Sequence, residues 1–425
     1  MKKKIAYLFI TIFFLIIYRL GSFNKITFGD SLGKIVDIEN NKFNLETYSI
    51  THFLYQNFTV LIYKIAPTFD PIEIGRWVNI LFAICTLNIL YAILNKIFNS
   101  NPIALIGTLA FGFSFTFWKN TENVEVYTFS LFWITIYLYA VIKYLNTNQN
   151  KYITIAGLIL GISFYSHIQS ILLIPSYCYV CFINYKNQKT IKNSIQNLTI
   201  PILLFLGLYI YPTLNQESFK NVLSSATKTW VSDSYSKAYN EYIKDFCKAI
   251  VYLIYNFWLL NFLIFYIPFK TIFKNKIVIF LAIFGLPVFI FSSIYAVSDN
   301  YVFFLNFNLA YLIIICYGLQ NLIKKKRFFI LYVFILLVAI TPLNYTLSKY
   351  IVSNTDTGKK FHQDKIYKDG LNYYMLPWYH NNKGIIEVYL NKEETNEDID
   401  WMYKSVIEFI ELRKNKMSLT AIKEL

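Results

Sequence analysis

Apolar runs long enough to cross a bilayer, or nearly so, recur from the start of the chain to about residue 347. A full helical crossing needs about 20 apolar residues. Inside hydrocarbon every backbone polar group must be satisfied within its own segment. The fold class this predicts is an all-α polytopic membrane protein. Eleven spans are expected, over residues 5–20, 74–94, 102–117, 126–145, 152–166, 168–184, 199–213, 248–267, 277–297, 302–322 and 328–347. Several are short, and these are expected to be covered by neighbouring helices or to stop short of one face. Composition agrees: 56% of residues are hydrophobic and 15% charged, against about 25% charged in a soluble domain. A disordered chain is excluded and an ordinary soluble enzyme disfavoured.

The net charge of +15 would suggest nucleic acid in a soluble protein. Here its distribution matters more. With the N-terminus in the cytoplasm, alternate loops hold Lys96, Lys143 and Lys151, then Lys186, Lys189 and Lys192, then Lys270, Lys274 and Lys276, and finally Lys324, Lys325, Lys326 and Arg327. Together with Lys2, Lys3 and Lys4 these loops carry no acid, and all 25 Asp and Glu fall on the other side or in segments reached from it. That is the positive-inside pattern, so no nucleic-acid partner is needed. The expected orientation is N-terminus in, C-terminus out, with the first span an uncleaved anchor. Residues 51–66 are apolar, but a crossing there would invert every later loop. They are expected to form an interfacial or re-entrant helix.

Four pieces are then extracytoplasmic: a first loop, 21–73; a short loop, 118–125; a polar loop, about 214–247; and a tail, 348–425. Residues 384–390 of the tail look like a strand. Residues 397–415 have an apolar stripe at Ile399, Met402, Val406, Phe409 and Ile410, which predicts an amphipathic helix. The tail is expected to be a small α/β region acting as a lid or acceptor-docking element, beside a membrane domain spanning 1–347. The chain lacks an internal repeat and nucleotide-binding glycine motifs. The five cysteines imply no disulfide framework, and Cys178 and Cys181 read as packing residues.

Asp30, Glu125, His167 and Asp299 are all predicted at outer span ends. An ionisable group there is easily kept if it meets water and costly if it meets lipid, so a shared aqueous cavity is expected. Plainer readings exist for each: Asp30 as a helix cap, Glu125 as a dipole partner of the fourth span, His167 as a hydrogen-bonded helix end, Asp299 as a turn residue. His52 stands beside an aromatic amphipathic stretch.

Gly29-Asp30-Ser31, His52-Phe53-Leu54-Tyr55, Trp118, Glu125-Val126-Tyr127, the segment from Gly161 to His167 with Pro175 after it, and the segment from Asp299 through Tyr301 to Phe303 occur in an order that resembles the GT-C superfamily of membrane glycosyltransferases. More narrowly, it looks like the family that includes the transmembrane protein O-mannosyltransferase of IPT domains. Leu32 and Gly33 depart from that family's usual glycine and acid after Gly-Asp-Ser. The resemblance implies a GT-C-like bundle in a bacterial inner membrane. It also implies transfer of mannose or another hexose from a polyprenyl-phosphate-linked donor to a hydroxyl of a protein or glycan acceptor on the outer face. Asp30 would be the general base, with Glu125 binding the acceptor or holding a cation. His52, Tyr55, Arg76, Trp118, Tyr127, His167, Asp299 and Tyr301 would bind substrate. Arg19 and Lys119 lie on the same face as further partners for the lipid phosphate. No cofactor is required, and a divalent cation is left open. The competing reading is a flippase of lipid-linked sugars, which would usually show repeats and a midplane site.

Overall fold

The computed structural model describes residues 3–43, 52–189, 191–210, 230–297, 300–325 and 329–425. The described residues are helical, with no strand among them. α1 is Lys3–Gly21, α2 Ser31–Glu39, α3 Phe53–Ile65, α4 Pro71–Phe98, α5 Asn101–Gly112, α6 Phe115–Glu122 and α7 Tyr127–Thr147. Next come α8 Asn150–Ser166, α9 Ile174–Gln188, α10 Ile191–Gly207, α11 Tyr239–Phe257, α12 Lys276–Ile294, α13 Leu305–Lys325, α14 Phe329–Ala339 and α15 Thr341–Ser353. The tail holds α16 Asp356–Asp364, α17 Leu371–Met375, α18 Ile385–Asn391, α19 Asp400–Arg413 and α20 Leu419–Lys423.

α1 shows how the sequence makes such helices. It buries Ala6, Ile10, Phe14 and Tyr18 on one face and leaves Ile5, Leu8, Ile12, Ile16 and Leu20 exposed. Both faces are apolar, as a helix between protein and lipid requires. α4 packs on α1, α5 and α7, and α7 on α8. Tyrosines deep in the bundle hydrogen-bond across it: Tyr18 donates to the Gly112 carbonyl (2.8 Å), Tyr144 to Asn184 Oδ1 (2.9 Å) and Tyr345 to the Phe113 carbonyl (2.9 Å). Buried phenols need such partners.

The expected eleven spans reduce, among the described residues, to seven helical stretches long and apolar enough to cross a membrane, or nine if two bent pairs each count as one. α5 and α6 meet at 61°, and α14 and α15 at 51°. Pro342, in the first turn of α15, marks the second break, where its ring would clash with a continuing helix. α8 has 17 residues and the apolar part of α10 is Ile195–Gly207, so both fall short of a crossing by length. The second expected outer piece, 118–125, is not a loop over 118–122: Trp118 and Lys119 sit in α6, and only 123–126 connect it to α7. The polar loop expected at 214–247 lies partly outside the described residues, and α11 already begins at Tyr239. Asp299 lies outside the described residues.

Within residues 51–66, Phe53–Ile65 form a helix, α3. The strand expected at 384–390 is instead α18. Gly384 precedes it in extended conformation, and Ile385, Ile386 and Val388 are buried at helical spacing against α19 and α20. Packing overrides the β-branched composition there. The amphipathic helix is present as α19, with Met402, Val406 and Phe409 buried. The tail is thus all-helical. Its core is continuous with the first loop, joining Ile26, Phe28, Leu32, Ile35 and Val36 to Tyr367, Ile385, Val388, Val406 and Phe409. With several helices of this kind, the chain is an integral membrane protein.

Candidate active site

Gly29 has φ +102°, a conformation residues with a Cβ rarely adopt. It turns the chain sharply into α2 and leaves Asp30 immediately before the first helical residue. The Asp30 side chain makes no capping bond, and it is 54% exposed. One helical turn on, Lys34 is buried, and its Nζ lies 3.7 Å from Asp30 Oδ2. The same ammonium lies 3.0 Å from Glu125 Oε2, while Ser31 Oγ donates to Glu125 Oε1 at 3.3 Å. The first turn of α2 therefore grips one carboxylate from below and presents another at the surface.

Burial opposes the charge on Lys34. The Glu125 and Asp30 carboxylates more than offset it, and the ammonium is held above the ordinary lysine range. A buried ammonium without such partners would be strongly unfavourable.

The second half of the site is aromatic. His52, before the first residue of α3, and His167, between α8 and the 3-10 helix Ile168–Leu173, have ring centroids 5.5 Å apart. Tyr127 lies 5.7 Å and Phe303 5.9 Å from the His167 ring. His167 Nδ1 accepts the Gln169 N–H at 3.2 Å, so the neutral ring carries its proton on Nε2. Burial, then the charge of Lys34, pushes His167 down to about 4. His52 is lowered well below its usual value by burial, Lys34 and His167 in that order. Both rings are neutral near pH 7. Tyr55 of α3 is buried against Phe129, and burial, with Glu125 near it, raises its phenol.

Asp30, Glu125, His52, Tyr55, Tyr127 and His167 are thus brought together, and Asp30 and His167 each have a structural reading to exclude or keep. Asp30 caps nothing with its side chain. His167 does cap the 3-10 helix, but only through Nδ1. Three expected site residues are engaged elsewhere. Trp118 stacks on Trp378 with ring centroids 4.7 Å apart and donates its indole N–H to Glu122 at 2.5 Å. Arg76 pairs with Glu73 (3.1 Å) and donates to the Asn24 carbonyl (2.9 Å). Tyr301 packs against Phe115 and Tyr252. Of the further phosphate partners, Arg19 pairs with Glu73 at 3.0 Å. Lys119 is buried with its ammonium 4.0 Å from the Tyr373 ring centroid.

Lys34 is the residue that sequence reasoning missed. Its signal was present: it stands four residues after Asp30 on a segment whose Leu32, Ile35 and Val36 have helical spacing. Among the described residues no three His, Cys, Asp or Glu side chains are grouped to hold a metal ion. Lys34 sits between the two carboxylates as their shared counter-charge.

Residues 52–191 match the family model described as the Protein O-mannosyl-transferase TMEM260 N-terminal domain. That stretch contains His52, Tyr55, Glu125, Tyr127 and His167 but not Asp30 or Lys34. No curated protein matches the chain by sequence. Among solved structures, ArnT from Cupriavidus metallidurans bound to undecaprenyl phosphate is similar over 98% of this chain and 74% of that one, at 9% identity and a TM-score of 0.60. The apo state of the same protein gives 10% identity, 98% and 73% coverage and a TM-score of 0.57.

The chain shares the fold of ArnT.

The Archaeoglobus fulgidus oligosaccharyltransferase, tethered to an acceptor peptide, is also similar, at 11% identity, 89% and 60% coverage and a TM-score of 0.47. Within this fold the first loop, the turn from α6 to α7 and the tail touch one another. Arg413 of α19 bridges Glu39 of α2 (2.9 Å) and Asp70 before α4 (2.9 Å), and Lys25 of the first loop pairs with Glu387 of α18 (3.0 Å).

Proposed function

We propose that this protein is a membrane glycosyltransferase that moves a sugar from a polyprenyl-phosphate-linked donor to a hydroxyl acceptor, with Asp30 as general base. The observation that carries the assignment is the position of Asp30. It is an exposed carboxylate whose side chain makes no cap bond to α2, fixed beside a buried Lys34–Glu125 pair and a wall of neutral His52 and His167. An enzyme that activates a hydroxyl needs a base within hydrogen-bond reach of it. The GT-C fold and the undecaprenyl phosphate held by ArnT support the donor class, because a polyprenyl phosphate is what such a donor leaves behind.

In this reading the acceptor O–H gives its proton to Asp30 while its oxygen attacks the anomeric carbon. The bond from that carbon to the phosphate oxygen breaks, and the phosphate leaves with the electron pair. Lys34 holds the base in place and Glu125 holds Lys34. His52, Tyr55, Tyr127 and His167 shape the sugar-binding side; the His167 Nε2–H is the donor it has available. Arg76, Trp118 and Tyr301 act as the frame rather than as direct ligands. The acidic side of the molecule faces out of a bacterial inner membrane. The acceptor hydroxyl belongs to a protein or a glycan.

The test is transfer itself. Membranes containing the protein are given polyprenyl-phosphate mannose, or the glucose form, labelled in the sugar. Label passing from lipid to an acceptor fraction supports the reading. Intact labelled lipid crossing the membrane without transfer would replace it with the flippase.

A further inference from the structure

A cavity of about 490 Å³ lies among α15, α16 and α17, and it shares no residue with the Asp30 cluster. Its size is within the range of small-molecule sites, about 300–1,000 Å³. Lys349, Lys359 and His362 line it together with Ser353, Gln363 and Asn372, and no carboxylate is among its lining residues.

The hydrogen bonds already made decide what the walls still offer. His362 Nδ1 accepts the Leu371 N–H at 3.3 Å, which leaves its other nitrogen as the donor of the neutral ring. Asn372 Oδ1 accepts from Lys349 Nζ at 2.8 Å, and Asn372 Nδ2 donates to the Tyr379 hydroxyl at 3.2 Å. The amide of Asn372 is therefore used on both sides. What remains are ammonium N–H groups on two lysines and a ring N–H, since the Ser353 hydroxyl already donates to the Tyr350 carbonyl at 2.8 Å. An anion with several acceptor oxygens is the complement of that set.

The helix that supplies Lys349 also says where the anion comes from. α14 and α15 leave Leu336, Leu343, Leu347, Tyr350 and Ile351 more than half exposed. In an integral membrane protein such a face meets acyl chains. Tyr350 belongs both to that face and to the cavity wall, and tyrosine favours the bilayer–water boundary. The cavity thus opens where the lipid-facing surface gives way to the polar tail. We propose that it binds the phosphate of an anionic phospholipid headgroup. The assignment does not depend on the transferase reading.

The experiment is native mass spectrometry of the full-length protein released from micelles containing phosphatidylglycerol, phosphatidylcholine or inorganic phosphate alone. Phosphatidylglycerol is expected to bind about tenfold or more tightly over phosphatidylcholine, with that preference lost in Lys359→Glu and in Lys349→Ala and kept in Lys349→Arg. Lys359 is exposed, so its variant is expected to match the wild type in size-exclusion and melting profiles and to isolate the charge effect from folding. Equal retention of the two lipids, or a preference untouched by Lys359→Glu, would overturn the proposal. Charge-dependent binding of inorganic phosphate without any preference between the lipids would keep the anion site and refute the lipid as its source.

Discussion

Lys34 Nζ lies 3.0 Å from Glu125 Oε2, which ties the first turn of α2 to the residues just before α7. The contact joins two segments 91 positions apart in the chain. It is largely shielded from water, since the two side chains are 6% and 14% exposed. It is the frame on which Asp30 is mounted.

Glu125→Gln removes one carboxylate and leaves the buried ammonium with only exposed Asp30. Breaking a buried pair by removing one partner typically costs about 3–5 kcal/mol. The variant is expected to unfold at lower denaturant, and Lys34→Met added to it should recover part of the loss. Unfolding curves in one detergent, for the single and double variants, check this. No recovery in the double variant would mean the pair is not the unit that matters.

His167 gives a pH dependence with a defined sign. Its folded value, about 4, lies below its ordinary 6.5. Between those values the unfolded chain binds more protons than the folded one, so stability rises with pH. The full contribution is present above pH 6.5 and is lost as pH falls to about 4. The difference of 2.5 corresponds to on the order of 3 kcal/mol. His167→Gln is expected to flatten stability between those limits. An unchanged pH profile would show that another group controls it.

Much of this arrangement was legible in the sequence, and the failures have physical causes. Ionisable groups at span ends are costly in lipid, so topology alone groups Asp30, Glu125, His167 and Asp299 on one face; the first three come together, and Asp299 lies outside the described residues. Lys34 was not grouped with them, because a lysine in a polar loop ordinarily reads as solvated; only its burial makes it a partner. α18 was read as a strand because Ile385, Ile386, Val388 and Tyr389 favour strands. Its spacing fits a helix equally well, and the α19 surface chooses. The bends after α5 and α14 are invisible to a hydropathy window, since apolar residues continue through both. Trp118 looked like a ligand and is a joint, because its partner Trp378 is 260 positions away.

Arg413 tests whether the tail positions the base. It bonds Glu39, the last residue of α2, and Asp70, which caps α4 through the Ile72 N–H at 2.8 Å. Arg413→Met is expected to slow transfer several-fold while changing donor KM little, because α2 shifts and the donor contacts do not. Buried pairs are screened little by salt, so the wild-type rate should not show the same loss in high salt. A variant with normal kcat would detach the tail from catalysis.

The Trp118–Trp378 stack holds the segment after α17 against α1 and α6. An aromatic pair is worth about 0.5–1.5 kcal/mol beyond its buried area. Trp378→Ala is expected to raise the rate at which a protease cuts within the tail, with the bundle left intact. Limited proteolysis followed by mass analysis reads it. Equal cutting in both proteins would place the anchoring in the core shared with the first loop and in the ion pairs of α18 and α19.

The most direct measurement is single-turnover sugar transfer by Asp30→Asn beside the wild type, at matched expression and matched melting temperature, with labelled polyprenyl-phosphate sugar. Asparagine keeps the shape and the neighbours of Asp30 but cannot take a proton. Loss of a general base typically lowers the rate about 10²–10⁴-fold, with donor binding retained. Transfer at the wild-type rate in this variant would contradict the assignment of Asp30 and with it the account of the site.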